Sequence, residues 1–134
     1  MKSLILLTLF GVVVSKLYTP QTEALFKNVI IKCEKEANIE RTLIIDLMNK
    51  KIADDDVLKH FLFCCYLQLG LMRQDGTLNK EAMINFGDNF IGDAKVAFAA
   101  CSNTKGGNGL ETAYLFSKCY MDGLPKQEFP GVEL

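Results

Sequence analysis

The sequence contains no tryptophan, a single histidine, three prolines and no excess of either charge. Each shortage excludes something. Fifteen basic residues stand against sixteen acidic ones, for a net charge of −1. Without a net basic surface, non-specific nucleic-acid binding has no electrostatic footing. His60 alone cannot build a zinc site, and the five cysteines show no paired CxxC spacing. A triad of the serine–histidine type would have to run through His60. The prolines, at positions 20, 125 and 130, lie near the ends of the mature chain proposed below, so nothing of that kind interrupts a helix between the first and second. Long apolar runs are missing as well, with one exception.

That exception opens the chain. Lys2 is followed by an almost unbroken apolar run from Leu4 to Val14, and Val13 and Ser15 are small enough for a signal-peptidase site. The run is about 11 residues, short of the roughly 20 needed to cross a membrane. It reads as a secretory signal, residues 1–15, cleaved after Ser15. Residues 16–134 then form one domain released to the extracellular fluid, with no membrane insertion. Hydrophobic residues make up 49% of the chain and charged residues 23%, ordinary globular proportions. A domain of this size buries a modest share of its surface, so disulfides are expected to help hold it.

Helical periodicity dominates the mature chain. Leu25, Phe26, Val29, Ile30, Cys33 and Ala37 recur at three- and four-residue steps, one face of a helix starting near Thr22. Thr42 is placed to cap a short helix carrying Leu43, Ile44, Leu47 and Met48. Asp54, Asp55 and Asp56 suit a helix N-terminus, and that helix runs through Leu58, Phe61, Leu62, Cys64, Cys65 and Leu69 towards Gly70. From Phe61 to Leu67 it is apolar on every side, the mark of a central, buried helix. A turn at Asp75-Gly76 precedes a helix capped at Asn79. Asp93 is placed to cap another, through Phe98 to Cys101. After the glycine-rich SNTKGGNG loop, a last helix holds Leu110, Ala113, Tyr114, Phe116, Cys119 and Tyr120. The tail, residues 123–134, carries Phe129 and Val132. No stretch alternates as a strand does, so the fold class is all-α: six short helices and a tail.

The cysteines refine this. Cys64 and Cys65 are neighbours in a helix and point about 100° apart, which disfavours a bond between them. Cys101 and Cys119 sit on consecutive helices joined by the glycine-rich loop, an easy staple. Cys33 can pair with Cys64 or with Cys65. One thiol is left over, either buried or available for an intermolecular bond.

At this point the spacing resembles a family, the insect odorant-binding proteins of the pheromone- and general-odorant-binding type. Their usual pattern has six cysteines, with three residues between the second and third and eight between the fifth and sixth. The segment HFLFCCYLQLG matches the region of the second and third, with Cys64 at the third position and His60 at the second. QDGTLNKEA is also typical of the family. GLETAYLFSKCY matches the last motif, with Cys119 as the sixth cysteine and Leu110 at the fifth position. The resemblance covers roughly residues 20 to 122. It describes a minus-C member that lacks the second and fifth cysteines, which would have bonded to each other. It implies the bonds Cys33–Cys64 and Cys101–Cys119, with Cys65 spare. It further implies that residues 60 and 110 face each other, His60 being a partly buried structural residue, and that without their bridge the cavity is more plastic.

The same resemblance implies an internal apolar cavity around which the helices are arranged, holding one small organic ligand. The expected lining is Phe26, Leu47, Met48, Phe61, Met83, Phe90, Phe98 and Tyr114, with Phe129 and Val132 contributed by the tail. Tyr114 is the expected polar contact. The expected function is a secreted carrier of an odorant, pheromone or similar semiochemical, without cofactor or metal. A membrane chemoreceptor is a possible partner, and the expected state is a monomer or weak homodimer. The competing readings are a carrier of non-olfactory lipids or hormones and a dimeric interaction protein linked through Cys65. An enzyme of the phospholipase A2 kind fits poorly, because no Asp directly follows His60 and no glycine-rich calcium loop precedes it. Acid-triggered release through Asp54, Asp55 and Asp56 or through Glu128 and Glu133 competes with simple solvation of those carboxylates.

Overall fold

The first helix begins where a proline can be tolerated. In the computed structural model, which describes residues 19–124, α1 spans Pro20–Ala37 with Pro20 in its first turn and its missing N–H harmless there. Thr19 is the cap, its hydroxyl accepting from the Thr22 amide at 3.3 Å. The expected start near Thr22 is therefore late by two residues: Thr22 lies inside the helix, buried and bonded to Thr19. Asn38 closes α1 in the left-handed conformation (φ 52°, ψ 45°), which asparagine adopts more readily than most residues.

α2 spans Arg41–Met48, with Glu40 at the cap position and no side-chain cap bond. Thr42 sits one residue inside the helix and is exposed, because the reversal at Asn38 brings the chain into helical geometry sooner than a capping threonine would. α3 spans Asp56–Gln68 and is capped by Asp55, whose carboxylate accepts from the Leu58 amide at 3.0 Å. α4 spans Lys80–Gly87, capped by Asn79. α5 spans Asp93–Cys101, entered through Gly92 at φ 60°, so Asp93 is its first residue rather than its cap. α6 spans Gly109–Asp122 and is capped by Asn108. No strand forms among the described residues; Met72 and Leu78 make one isolated antiparallel bridge across the Asp75-Gly76 turn. The proposed signal, residues 1–15, and the tail positions Phe129 and Val132 lie outside the described residues.

α3 is the centre, packed on α1 along one side and α6 along another, with α5 against α6 and α4 against α5. Its buried residues Leu58, Phe61, Leu62 and Cys65 join Val29, Cys33, Ala113 and Phe116 in one core. Two disulfides fasten this order: Cys33–Cys64 ties α1 to α3, and Cys101–Cys119 ties α5 to α6. Cys65 is the free thiol and is buried. A close backbone approach locks the start of α6 against the turn. Gly76 has φ 89°, and a Cβ there would stand 2.7 Å from the Gly109 backbone, so glycine is required on both counts.

Candidate functional site

The helices leave a hollow of about 180 Å³ at their centre. α1 brings Phe26, Val29 and Ile30 to it; α2 brings Ile44, Leu47 and Met48; α3 brings Phe61, Leu62, Cys65 and Tyr66. Phe86 and Phe90 come from α4 and the turn after it, Phe98 from α5, and Phe116, Ser117, Tyr120 and Met121 from α6. Helical periodicity is what makes this possible: on each long helix, one stripe three and four residues apart points inward.

Much of the wall is aromatic. The Phe90 and Phe98 rings meet edge to face at 4.7 Å, Phe98 meets Phe116 at 5.5 Å, and Phe116 stacks on Tyr120 at 6.2 Å. Phe26 and Phe86 extend the cluster at 5.9 Å from each other. Such contacts add geometric preference to plain burial, so this wall is stiff. Across from it, Met48 and Leu47 offer aliphatic chains, and the flexible thioether can repack around different shapes.

Polar groups are few. Glu23 and Lys27, one turn apart on α1 and half-buried, mark one edge. Inside, the Tyr66 hydroxyl is hydrogen-bonded to the Ser117 hydroxyl, joining α3 to α6 across the cavity wall. Ser117 is 2% exposed. Cys65 also faces the hollow, and burial pushes its thiol up to about 12, away from thiolate chemistry at neutral pH. One trio of metal-ligating types lies close together among the described residues, Cys33, Glu36 and Cys64, but its two sulfurs are bonded to each other.

Of the expected lining residues, Phe26, Leu47, Met48, Phe61, Phe90 and Phe98 stand at the hollow. Met83 is buried elsewhere in the core. Tyr114 does not line it either: its half-buried ring lies under the Lys59 ammonium, 5.0 Å from the centroid. Unexpected members include Tyr66, Ser117, Cys65, Phe86, Phe116 and Tyr120. His60 is exposed, not partly buried, because the inward side of that turn is taken by Leu58 and Phe61.

The order of helices and the pair of disulfides match what a known family shows. The PBP/GOBP family matches residues 15–123. The chain belongs to that family. Its fold is similar to that of odorant binding protein 5 of Apis mellifera, with TM-score 0.70 and 20% identity over 81% of this chain and 93% of that one. An odorant binding protein of Locusta migratoria gives TM-score 0.65 at 21% identity, over 81% and 84% of the two chains. One from Drosophila melanogaster gives 0.61 at 15% identity, over 77% and 92%. No curated protein matches at the level of sequence. At these identities the solved structures speak for the fold: all-α, six helices, two disulfides. PBP/GOBP membership points to a binding and carrying role. No helix among the described residues is long and apolar enough to cross a membrane.

Proposed function

We propose that this PBP/GOBP protein is a secreted, non-enzymatic carrier that takes one small hydrophobic molecule, an odorant, pheromone or similar semiochemical, into the central hollow and keeps it in solution. The observation that carries the proposal is the almost wholly apolar lining to which all six helices contribute. Moving a ligand's apolar surface from water into it contributes about 25 cal/mol per Å². Phe26, Leu47, Met48, Phe61, Phe90 and Phe98 are the proposed ligand contacts. Phe129 and Val132, beyond the described residues, are proposed to close the mouth when the tail folds over it.

A dimer linked through Cys65 is disfavoured by position. The thiol is 7% exposed and turned to the interior, so a second molecule reaches it only after the domain opens. The test is displacement of an apolar fluorescent probe from the purified mature protein by a panel of volatile and lipid ligands, with mass spectrometry of whatever co-purifies. Saturable probe binding with displacement by small apolar molecules is expected. A protein that binds neither probe nor panel is not a carrier of this kind.

A further inference from the structure

The hollow contains a polar feature that a purely hydrophobic container does not need. Tyr66 and Ser117 bring two hydroxyls together at the wall of a mainly apolar cavity, whose other polar side chains are Tyr120, Glu23 and Lys27. Ser117 is 2% exposed, and apolar packing from an alanine there would join the same two helices at lower desolvation cost. Two hydroxyls carry two hydrogens, and the bond between them uses one. The phenol is the more acidic partner and the better donor, which leaves the Ser117 hydrogen to be placed. Among the described residues Tyr66 is the hydrogen-bond partner of the Ser117 side chain, and no bond runs from it back to the preceding helical turn.

We infer that the Tyr66–Ser117 pair is the polar anchor of the cavity and selects an uncharged guest with one hydrogen-bond-accepting oxygen, an aldehyde or ketone, over a hydrocarbon of the same shape. This rests on the carrier reading above. Two features set the class. A cavity of about 180 Å³ is of the order that holds a single benzene-sized ring with a small substituent, roughly six to ten non-hydrogen atoms. The lining that surrounds the anchor offers an ionised head no counter-charge, so a carboxylate would be desolvated without repayment. Glu23 and Lys27 lie at the edge on α1 and carry opposite charges, so they do not make the edge a site for either sign. Tyr114 has its own neighbour in Lys59 and takes no part.

The test compares toluene, benzaldehyde and benzoate on the mature wild-type protein, Ser117→Ala and Tyr66→Phe. Each substitution is expected to weaken benzaldehyde roughly three- to tenfold, the range of one net hydrogen bond, and to leave toluene within about twofold. Benzoate is expected to bind more weakly than benzaldehyde. An independent readout needs no variant: the carbonyl stretch of bound benzaldehyde should lie below its position in a hydrocarbon solvent. Equal losses for toluene and benzaldehyde, tighter binding of benzoate, or an unshifted carbonyl stretch would overturn the anchor. If toluene, benzaldehyde and an apolar fluorescent probe all fail to bind the wild type, the carrier reading falls with it. Probe binding without discrimination removes the anchor alone.

Discussion

At the scale of single residues, Cys65 shows how position decides chemistry. It shares its sequence neighbourhood with Cys64, yet one sulfur reaches α1 and the other turns into the hollow, because adjacent helical residues diverge by about 100°. Burial raises the Cys65 thiol from 9.0 to about 12, and the direction has a consequence for stability. The folded form holds its proton more tightly than the unfolded chain, so the contribution is complete below about pH 9. It is lost as pH climbs towards 12. The wild type should therefore lose stability steeply over that interval, and Cys65→Ala should flatten the slope while costing some stability at neutral pH through the atoms removed. Urea titrations at pH 7, 9 and 11 measure both. The same burial should leave Cys65 unreactive to thiol reagents at pH 7 until denaturant is added. What the sequence hid at this scale was the polar contact. Tyr114 was the natural expectation, as a large amphipathic side chain on the last helix. Ser117, three residues on, carries no sequence signal of its own, and its partner Tyr66 lies 51 residues away.

Elements were more legible than residues. Period and punctuation placed all six helices, and Asp55 and Asn79 cap α3 and α4 as their positions before apolar stripes suggested. The misplaced starts, at Thr22, Thr42 and Asp93, have one cause: several polar residues near a helix end are chemically able to cap, and the backbone geometry before them selects which does. How two helices meet is a different matter, since it depends on pairs far apart in sequence. Lys59 near the start of α3 reaches Glu111 in the first turn of α6 at 2.6 Å and Asp54 at 2.9 Å, and is itself only 12% exposed. Its ammonium is held well above the usual lysine range, first by the hydrogen bond to Glu111 and then by that to Asp54. A raised folded value means the interaction is present at ordinary pH and, on the alkaline side, is lost on passing into strong alkali. Lys59→Met should lower the melting temperature by the same amount at pH 7 and pH 9. The difference from wild type should shrink as salt is raised, which thermal scans at low and high ionic strength would detect. A salt-independent difference would assign the loss to the Tyr114 ring packing instead.

At the scale of the molecule, the covalent frame and the hollow have to coexist. The disulfides close spans of 31 and 18 residues, each worth roughly 3–4 kcal/mol in the chain-entropy account, a large part of the stability of a small domain. They hold α1 to α3 and α5 to α6, leaving no covalent tie between α3 and α6, the two helices joined by the Tyr66–Ser117 bond. The resemblance drawn from the sequence leads one to expect His60 and Leu110 where six-cysteine relatives would carry a third bridge. The helix starts do meet there: Lys59 pairs with Glu111, and the Phe63 ring lies 2.6 Å from where a Cβ on Gly109 would be. The exposure of His60 means that position can be changed without opening the core. Under oxidising conditions His60→Cys combined with Leu110→Cys should close a third bond, detectable by peptide mapping, and raise the melting temperature. If the missing tie is what lets the aromatic wall and the Met48 side adjust to different guests, the bridged protein should also bind a narrower range of ligands than wild type. A bridged variant with higher stability and undiminished breadth would place the adaptability in the side chains alone, and a pair of cysteines that never join would mean that α3 and α6 meet in a different register from that of six-cysteine relatives.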